Sequence, residues 1–407
     1  MSYAFHHHTF PNGLTVLAEI SREAHTASGG FFVRTGARDE PAPLMGVSHF
    51  LEHMMFKGCA GLSAEALNRA FDEIGARNNA YTSTEITCFH ADAIPEKFPD
   101  ALDLLGRMMR PTLAPEDFET ERGVILEEIA MYLDNPFWVL FEATAERHFA
   151  NHPMGHRVLG TPDTIRAMTP DQMRAYFEQR YSADNTVVAL AGNIDFDAAC
   201  RQIERLTGHW PATGASRTQQ PPRAGGGEFV IRSDKVTQAY ILAMAAAPPM
   251  QDERRHAMSI LAHILGGGDN SRLHWALIEP GIADEAQASY DPHDAIGDLL
   301  VFTSMDPARA DEAWSVATRE LDALFDSLEP ADLDRLREKM VTSATVGGER
   351  PHDRMQRLGR LWTYLRRYTT LDEELAMLSG VTLDDLRALR ADYPVTPLTV
   401  GRLLPAD

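Results

Sequence analysis

Cysteine is scarce in this sequence. Cys59, Cys88 and Cys200 are the three that occur in 407 residues, widely spaced and without a C-x-x-C pair. That excludes a disulfide framework and points to a reduced, cytoplasmic setting. Long apolar runs are missing as well. No segment approaches the roughly 18 apolar residues of a membrane helix, so no membrane partner is expected. The opening MSYAFHHHTFPNG has neither the basic region nor the apolar run of a secretory leader. Positive charge is in deficit, with 38 basic against 59 acidic residues and a net charge of -21. This balance argues against nucleic-acid binding, keeps the chain soluble and suits basic peptide partners. His6, His7 and His8 are consecutive. Neighbours on a strand alternate faces, so the run reads as surface residues of a first strand, or as tag-like, rather than as ligands.

What is present is an apolar segment with polar residues in it. GVSHFLEHMMFKG, residues 46–58, has Val47, Phe50, Leu51, Met54 and Met55 at core-facing helical spacing. His49, Glu52 and His53 (i, i+3, i+4) fall on one narrow stripe of the same helix. Burying such groups without partners costs several kcal/mol, so something must satisfy them. Two imidazoles at i, i+4 can reach one metal ion, and zinc accepts imidazole nitrogen readily. The intervening Glu is placed instead to take a proton from water. This is the H-x-x-E-H arrangement.

A catalytic zinc normally takes three protein ligands and keeps a position for water. In DFETERGVILEEIAMYLDN, drawn as a helix, Phe118, Val124, Ile125, Ile129 and Tyr132 form the apolar face. Glu121 and Glu128, two turns apart, share that face, whereas Glu127 lies about 100° away on the wet side. Helical phase selects Glu128 or Glu121 over Glu127.

The remaining pattern predicts an α+β protein of two similar halves, each an antiparallel sheet backed by helices. Strands are expected at TVLAEI and GGFFVRTG, a helix at SAEALNRAFDEIG with Ser63 as N-cap and Gly75 as stop, and one long strand at NNAYTSTEITCFHADA. Helices are expected near 95–109, 115–133 and 163–180, and a buried strand at NTVVALAGNI. A Gly/Pro/Ser/Gln-rich stretch, residues 212–227, reads as a linker between domains 1–211 and 228–407. The second half then runs strand (229–232), strand (237–246), helix (253–265), helix (271–279), strand (284–291), strand (298–304) and long helices. It has only His263 where the first half has its motif, so one metal site is expected, in the first half.

HFLEHMMFKG, ARNNAYTSTEIT, ETERGVILEEI and HPMGHRVLGTPDTI together resemble the zinc peptidases that include insulin-degrading enzyme, pitrilysin and the mitochondrial processing peptidase, with the small processing-peptidase-like subunits nearest. In the second half, HILGGGDNSRL and LSGVTLDDLRAL are similar to the same family's text. The resemblance implies a zinc-dependent endopeptidase or oligopeptidase, with one Zn2+ per chain. It implies His49, His53 and Glu128 as ligands, Glu52 as general base, and Glu121 as a group that orients a ligand or the water. It also implies Asn79 and Ala80 as part of a substrate-binding edge strand, to which an extended peptide adds by backbone hydrogen bonds.

One departure stands out. Members of that family active as single chains carry an Arg and, seven residues on, a Tyr in the second half. Here Ile278 occupies the Arg position, and Asp284 and Glu285 stand near the Tyr position in a segment one residue shorter. Arg272 belongs to a neighbouring motif and Tyr290 lies too far along. The expected remedy is a homologous partner subunit that supplies both groups, making this chain the catalytic half of a heterodimer. The alternatives are a self-sufficient homodimer and a metal- and peptide-binding scaffold that does not cut.

Overall fold

Apolar alternation in TVLAEI and its neighbours becomes sheet, and the periodic stretches become helices that cover it. The computed structural model describes residues 2–217, 225–396 and 398–406. In the first half, β1 (Ala4–Thr9), β2 (Thr15–Ile20) and β3 (Ala27–Val33) precede α1 (Val47–Met55). A short hairpin of β4 (Gly58–Cys59) and β5 (Leu62–Ser63) leads into α2 (Ala64–Glu73), capped by the Ser63 hydroxyl, which accepts from the Ala66 N–H. Then come β6 (Arg77–Thr82), β7 (Thr87–Ala93), α3 (Phe98–Met108), α4 (Pro115–Leu133), α5 (Pro136–His148), α6 (Pro162–Ala167), α7 (Pro170–Arg180), β8 (Thr186–Gly192) and α8 (Phe196–Thr207). The second half holds β9 (Gly227–Ser233), β10 (Ala239–Ala247), α9 (Arg255–Gly266), β11 (Glu285–Pro292) and β12 (Gly297–Met305). It continues with α10 (Ala310–Ala323), α11 (Pro330–Gly347), α12 (Pro351–Leu365), α13 (Leu371–Ser379), α14 (Leu383–Ala388) and β13 (Thr399–Pro405).

The two halves repeat one topology. Among the described residues the first sheet runs β1-β2-β8-β3-β7-β6 and the second runs β9-β13-β10-β12-β11. Dropping β1 aligns them strand for strand. In each, a single parallel pair (β2 with β8, β9 with β13) is followed by antiparallel neighbours. The two compact units are not contiguous in sequence. One comprises Met1–Ile129, His156–Thr218 and Val346–Tyr368; the other comprises Ala130–Gly155, Gln219–Thr345 and Thr369–Asp407. The break between Thr218 and Gln219 falls within the expected linker, and the departures from 1–211 and 228–407 come from the segments around α5 and α12, which change places. In the first unit Met355 and Leu358 of α12 pack on Leu17, Phe32, Cys88 and Val187 of the sheet. In the second, Leu140 of α5 packs with Leu242, Met244 and Leu403. Residues 218–224 of the expected linker lie outside the described residues.

Polar contacts reinforce this packing. Glu19 on β2 is fully buried, and Arg354 of α12 meets its Oε2 at 2.8 Å while the Tyr368 hydroxyl donates to Oε1 at 3.0 Å. A second buried network joins Arg38 to Glu85 at 2.6 Å, and Arg180 and Arg217 to Asp39 at 2.9 and 2.7 Å. It fixes the loop before α1 against the β6–β7 turn.

Two readings of the sequence are corrected. NNAYTSTEITCFHADA is a hairpin of β6 and β7 rather than one strand. Ser83 makes the turn, donating its hydroxyl to the Ile86 carbonyl at 3.0 Å and accepting from the Ile86 N–H at 3.1 Å. The helix expected over 163–180 is split into α6 and α7 at Thr169-Pro170, where Thr169 and Gln172 form a capping box. The His6–His8 run lies in β1 and is exposed.

The start of α1 is held unusually closely. Gly46 (φ +95°) and Gly160 (φ +76°) touch backbone to backbone, and a Cβ on Gly160 would lie 2.3 Å from the Met45 carbonyl oxygen. Glu40 then accepts from the N–H groups of Gly46 and Ser48, both at 2.7 Å. Gly160→Ala is expected to cost about 1–3 kcal/mol of stability from strain and collision. Gly75→Ala, also at positive φ (+68°) but with nothing within 4 Å of the added methyl, is expected to cost about 1 kcal/mol or less. Urea unfolding midpoints of the two variants check this; equal shifts would show that the contact at Gly160 carries no weight.

Candidate metal centre

The apolar side of α1 is core. Val47, Phe50, Leu51, Met54 and Met55 have no exposure, and the Phe50 ring stacks on Phe118 of α4 with centroids 4.6 Å apart. This stack sets α1 against α4 and brings the adjacent stripe of His49 and His53, within about 100° of Phe50 around the helix, toward the α4 carboxylates. His49 Nε2 lies 3.8 Å and His53 Nε2 3.6 Å from Glu128 Oε2. Donor atoms bound at about 2.0–2.2 Å to one tetrahedral zinc ion sit about 3.4 Å apart, so these three atoms are spaced as ligands of a single ion.

The imidazoles suit that role chemically. Burial drives His49 down to about 3, with His53 adding to the effect, so His49 is neutral and offers a lone pair. Its buried Nδ1 has no hydrogen-bond partner among the described residues. His53 is oriented from behind, with Nδ1 donating to Glu121 Oε2 at 3.0 Å. The other oxygen of Glu121 pairs with the Lys57 ammonium. Glu121 is buried, whereas Glu127 points to solvent.

Glu52 stands beside this group. Burial raises its carboxyl above the usual range; the Thr82 hydroxyl, which donates to Oε2 at 2.6 Å, and His53 oppose the rise, while Glu128 adds to it. Thr82 ends β6, the strand that carries Asn79 and Ala80. That strand is the outer one of its sheet, and its residues alternate exposed and half-buried. Asn79 Oδ1 accepts from the Ala80 N–H at 2.9 Å. Thr82 and Lys57 were not singled out from sequence. Strand alternation from Ala80 offers a signal for Thr82; Lys57 had none beyond its place after α1.

In the second unit, Ile278 lies in the helical turn His274–Ile278, and Asp284 and Glu285 open β11. Asp284 accepts from the Gln238 side chain at 2.8 Å. Arg272 donates to the Ser327 hydroxyl at 2.6 Å, and the Tyr290 hydroxyl donates to the Pro248 carbonyl at 2.6 Å. His263 donates to the Ser259 carbonyl one turn back in α9.

This metal-suited centre on a duplicated α+β scaffold agrees with comparisons to known proteins. The family model described as "Insulinase (Peptidase family M16)" matches residues 15–162, and "Peptidase M16 inactive domain" matches residues 167–340. An uncharacterized zinc protease of Streptomyces coelicolor is 32% identical over 397 residues, covering 94% of this chain and 86% of that one. The uncharacterized zinc protease YmxG of Bacillus subtilis is 29% identical, covering 94% of each chain. A solved protease from Helicobacter pylori has the same fold, with a TM-score of 0.93 at 19% identity over 98% of this chain and 99% of that one. The chain belongs to peptidase family M16, the insulinase family of zinc peptidases.

Because Glu121 acts on His53 rather than on an ion, Glu121→Gln is expected to weaken zinc binding about 10–100-fold. Glu127→Gln leaves it unchanged. Competition with a chromophoric chelator measures both, and equal affinities in the two variants would remove Glu121 from the centre.

Proposed function

We propose that this chain is the metal-bearing, catalytic subunit of a zinc-dependent endopeptidase or oligopeptidase, with His49, His53 and Glu128 as the zinc ligands. The observation that carries the reading is the convergence of two α1 imidazoles on one α4 carboxylate at ligand spacing, with Glu52 alongside. A zinc ion held by His49, His53 and Glu128 would supply a Lewis acid for the scissile carbonyl and would lower the pKa of a bound water toward neutrality. Glu52 takes the proton of the attacking water and returns it to the leaving amine. The Thr82 hydroxyl holds that carboxylate in one orientation and offsets the effect of burial on it. Glu121, through His53 Nδ1, keeps the His53 ring turned so that Nε2 faces Glu128. An extended peptide adds to the free side of β6 near Asn79 and Ala80, by backbone hydrogen bonds that tolerate many sequences.

Hydrolysis also needs donors for the developing oxyanion. Ile278, Asp284 and Glu285 provide no such donor at the positions where the family resemblance places an Arg and a Tyr. Arg272 and Tyr290 already have partners within the second unit. A homologous partner subunit that supplies the missing pair completes the site, which favours a heterodimer over a self-sufficient homodimer. Glu52 separates both from a non-cleaving scaffold, since a docking protein needs no base beside its metal. Three free thiols fit a cytoplasmic setting, and no helix among the described residues is long and apolar enough to cross a membrane.

The test is hydrolysis of a quenched basic peptide by the chain alone and mixed with the product of a neighbouring reading frame. Activity is expected in the mixture, to vanish with chelator, and to fall at least about 100–10,000-fold in Glu52→Gln, while zinc content stays unchanged. Chelator-insensitive activity, or activity that survives Glu52→Gln, rejects the mechanism. Full activity of the chain alone rejects the shared site.

A further inference from the structure

A second cluster of metal-suited donors lies elsewhere in the first unit. His90 and Asp92 are two apart on β7 and therefore share one face of the sheet. That face is the one α12 covers, because Cys88, the preceding residue on it, packs with Met355 and Leu358. His352 sits one turn before Met355, and its Nδ1 is 3.0 Å from each oxygen of Asp92. The His90 and His352 rings meet edge to face, with centroids 4.9 Å apart. One donor atom from each of the three residues lies within 4.8 Å of the others.

We infer that His90, Asp92 and His352 form a second binding site for a divalent transition-metal ion, distinct from the one on α1. Two imidazoles and a carboxylate are the donor set of the first centre, and they suit zinc-like ions with a position left for solvent. An ordinary ion pair accounts for Asp92 and His352 alone. It does not account for a second imidazole against them whose buried Nδ1 has no hydrogen-bond partner among the described residues. Asp92 is held from the far side by Ser28, its register partner on β3, as ligating carboxylates usually are. Asp92 and His352 side chains are 27% and 36% exposed, which leaves an ion a way in. The Nδ1–carboxylate spacing is already close to the roughly 3.4 Å between two ligands of one tetrahedral ion, so small side-chain movements suffice. Ligands from β7 and from α12, 260 residues apart in the chain, make the ion a clamp. It pins the exchanged helix to the strand whose register partners are Asn79 and Arg77 of β6.

Cobalt(II) is a suitable probe, because its visible absorption reports nitrogen and oxygen ligation. The full chain is dialysed to equilibrium against micromolar Co2+, and metal per chain is counted. About two equivalents are expected for the unaltered chain and about one for His49→Ala/His53→Ala. Adding His352→Asn to that double variant removes the remaining equivalent. In the otherwise unaltered chain, His352→Asn leaves one equivalent and lowers the thermal midpoint measured with Co2+ by more than the one measured with chelator, where only the ion pair with Asp92 is lost. A single equivalent in the unaltered chain, lost in His49→Ala/His53→Ala, overturns the second site while leaving the α1 centre intact. That count needs no variant of the second cluster to fold. Retention of the second equivalent after both His352→Asn and His90→Asn also overturns it.

Discussion

The centre depends on the distance between α1 and α4. The Phe50–Phe118 stack and the apolar side of α1 hold the two helices so that one carboxylate oxygen faces two imidazole nitrogens. The cost of the arrangement is electrostatic. Glu52, Glu121 and Glu128 lie close together in a partly buried region, where Lys57 pairs with Glu121 and Glu128 raises the carboxyl of Glu52. Burial keeps His49 neutral, so it contributes no positive charge. Uncompensated carboxylates in a low-dielectric setting repel strongly. A divalent cation held by His49, His53 and Glu128, as proposed, would relieve that repulsion and use the lone pairs.

Of the two similar halves, the described residues bring two imidazoles and a carboxylate together only on the first sheet and its helices. The two sheets share strand order, parallel pair and antiparallel flanks, so the second half keeps the scaffold without such a group. Its outer strand β11 corresponds to β6, but Asp284 and Glu285 stand at its start, and the one histidine in α9's last turn bonds to its own helix. The exchange of α5 and α12 follows from the same economy. Each sheet has an apolar face that must be covered, and each is covered by the helix that follows the other half's long helix.

Much of this was legible in the sequence, for identifiable reasons. The α1 stripe follows from helical period alone, and phase on α4 separates Glu121 and Glu128 from Glu127. Buried strands such as β8 announce themselves by continuous apolar residues. What stayed hidden is tertiary. The β6–β7 turn uses a serine hydroxyl and threonines in place of Gly, Pro or Asn, so its residues have strand propensity and read as one strand. The unit boundaries depend on which sheet α5 and α12 cover, which no local period encodes. The linker's composition does mark one place where the chain passes from one unit to the other, between Thr218 and Gln219, but not the further crossings made by α5 and α12. His90, Asp92 and His352 come together only because α12 crosses back onto the first sheet.

Recognition and chemistry meet on one strand. β6 presents its unpaired edge from Arg77 to Thr82, and Thr82 holds Glu52. At about 3.3 Å per residue, Asn79 is roughly 10 Å along the strand from Thr82. A peptide added beside Asn79 and Ala80, as proposed, would reach Glu52 about two or three residues further on. On the proposed reading, backbone pairing along β6 would give affinity with little side-chain choice, and its register would fix which peptide bond arrives beside Glu52. Selectivity would then fall to what lies outside that edge: the length of peptide admitted, the net charge of -21, which suits basic segments, and the surface that contributes the oxyanion donors. If a partner subunit supplies those donors, as proposed, its identity would set what is cut more than the β6 edge does.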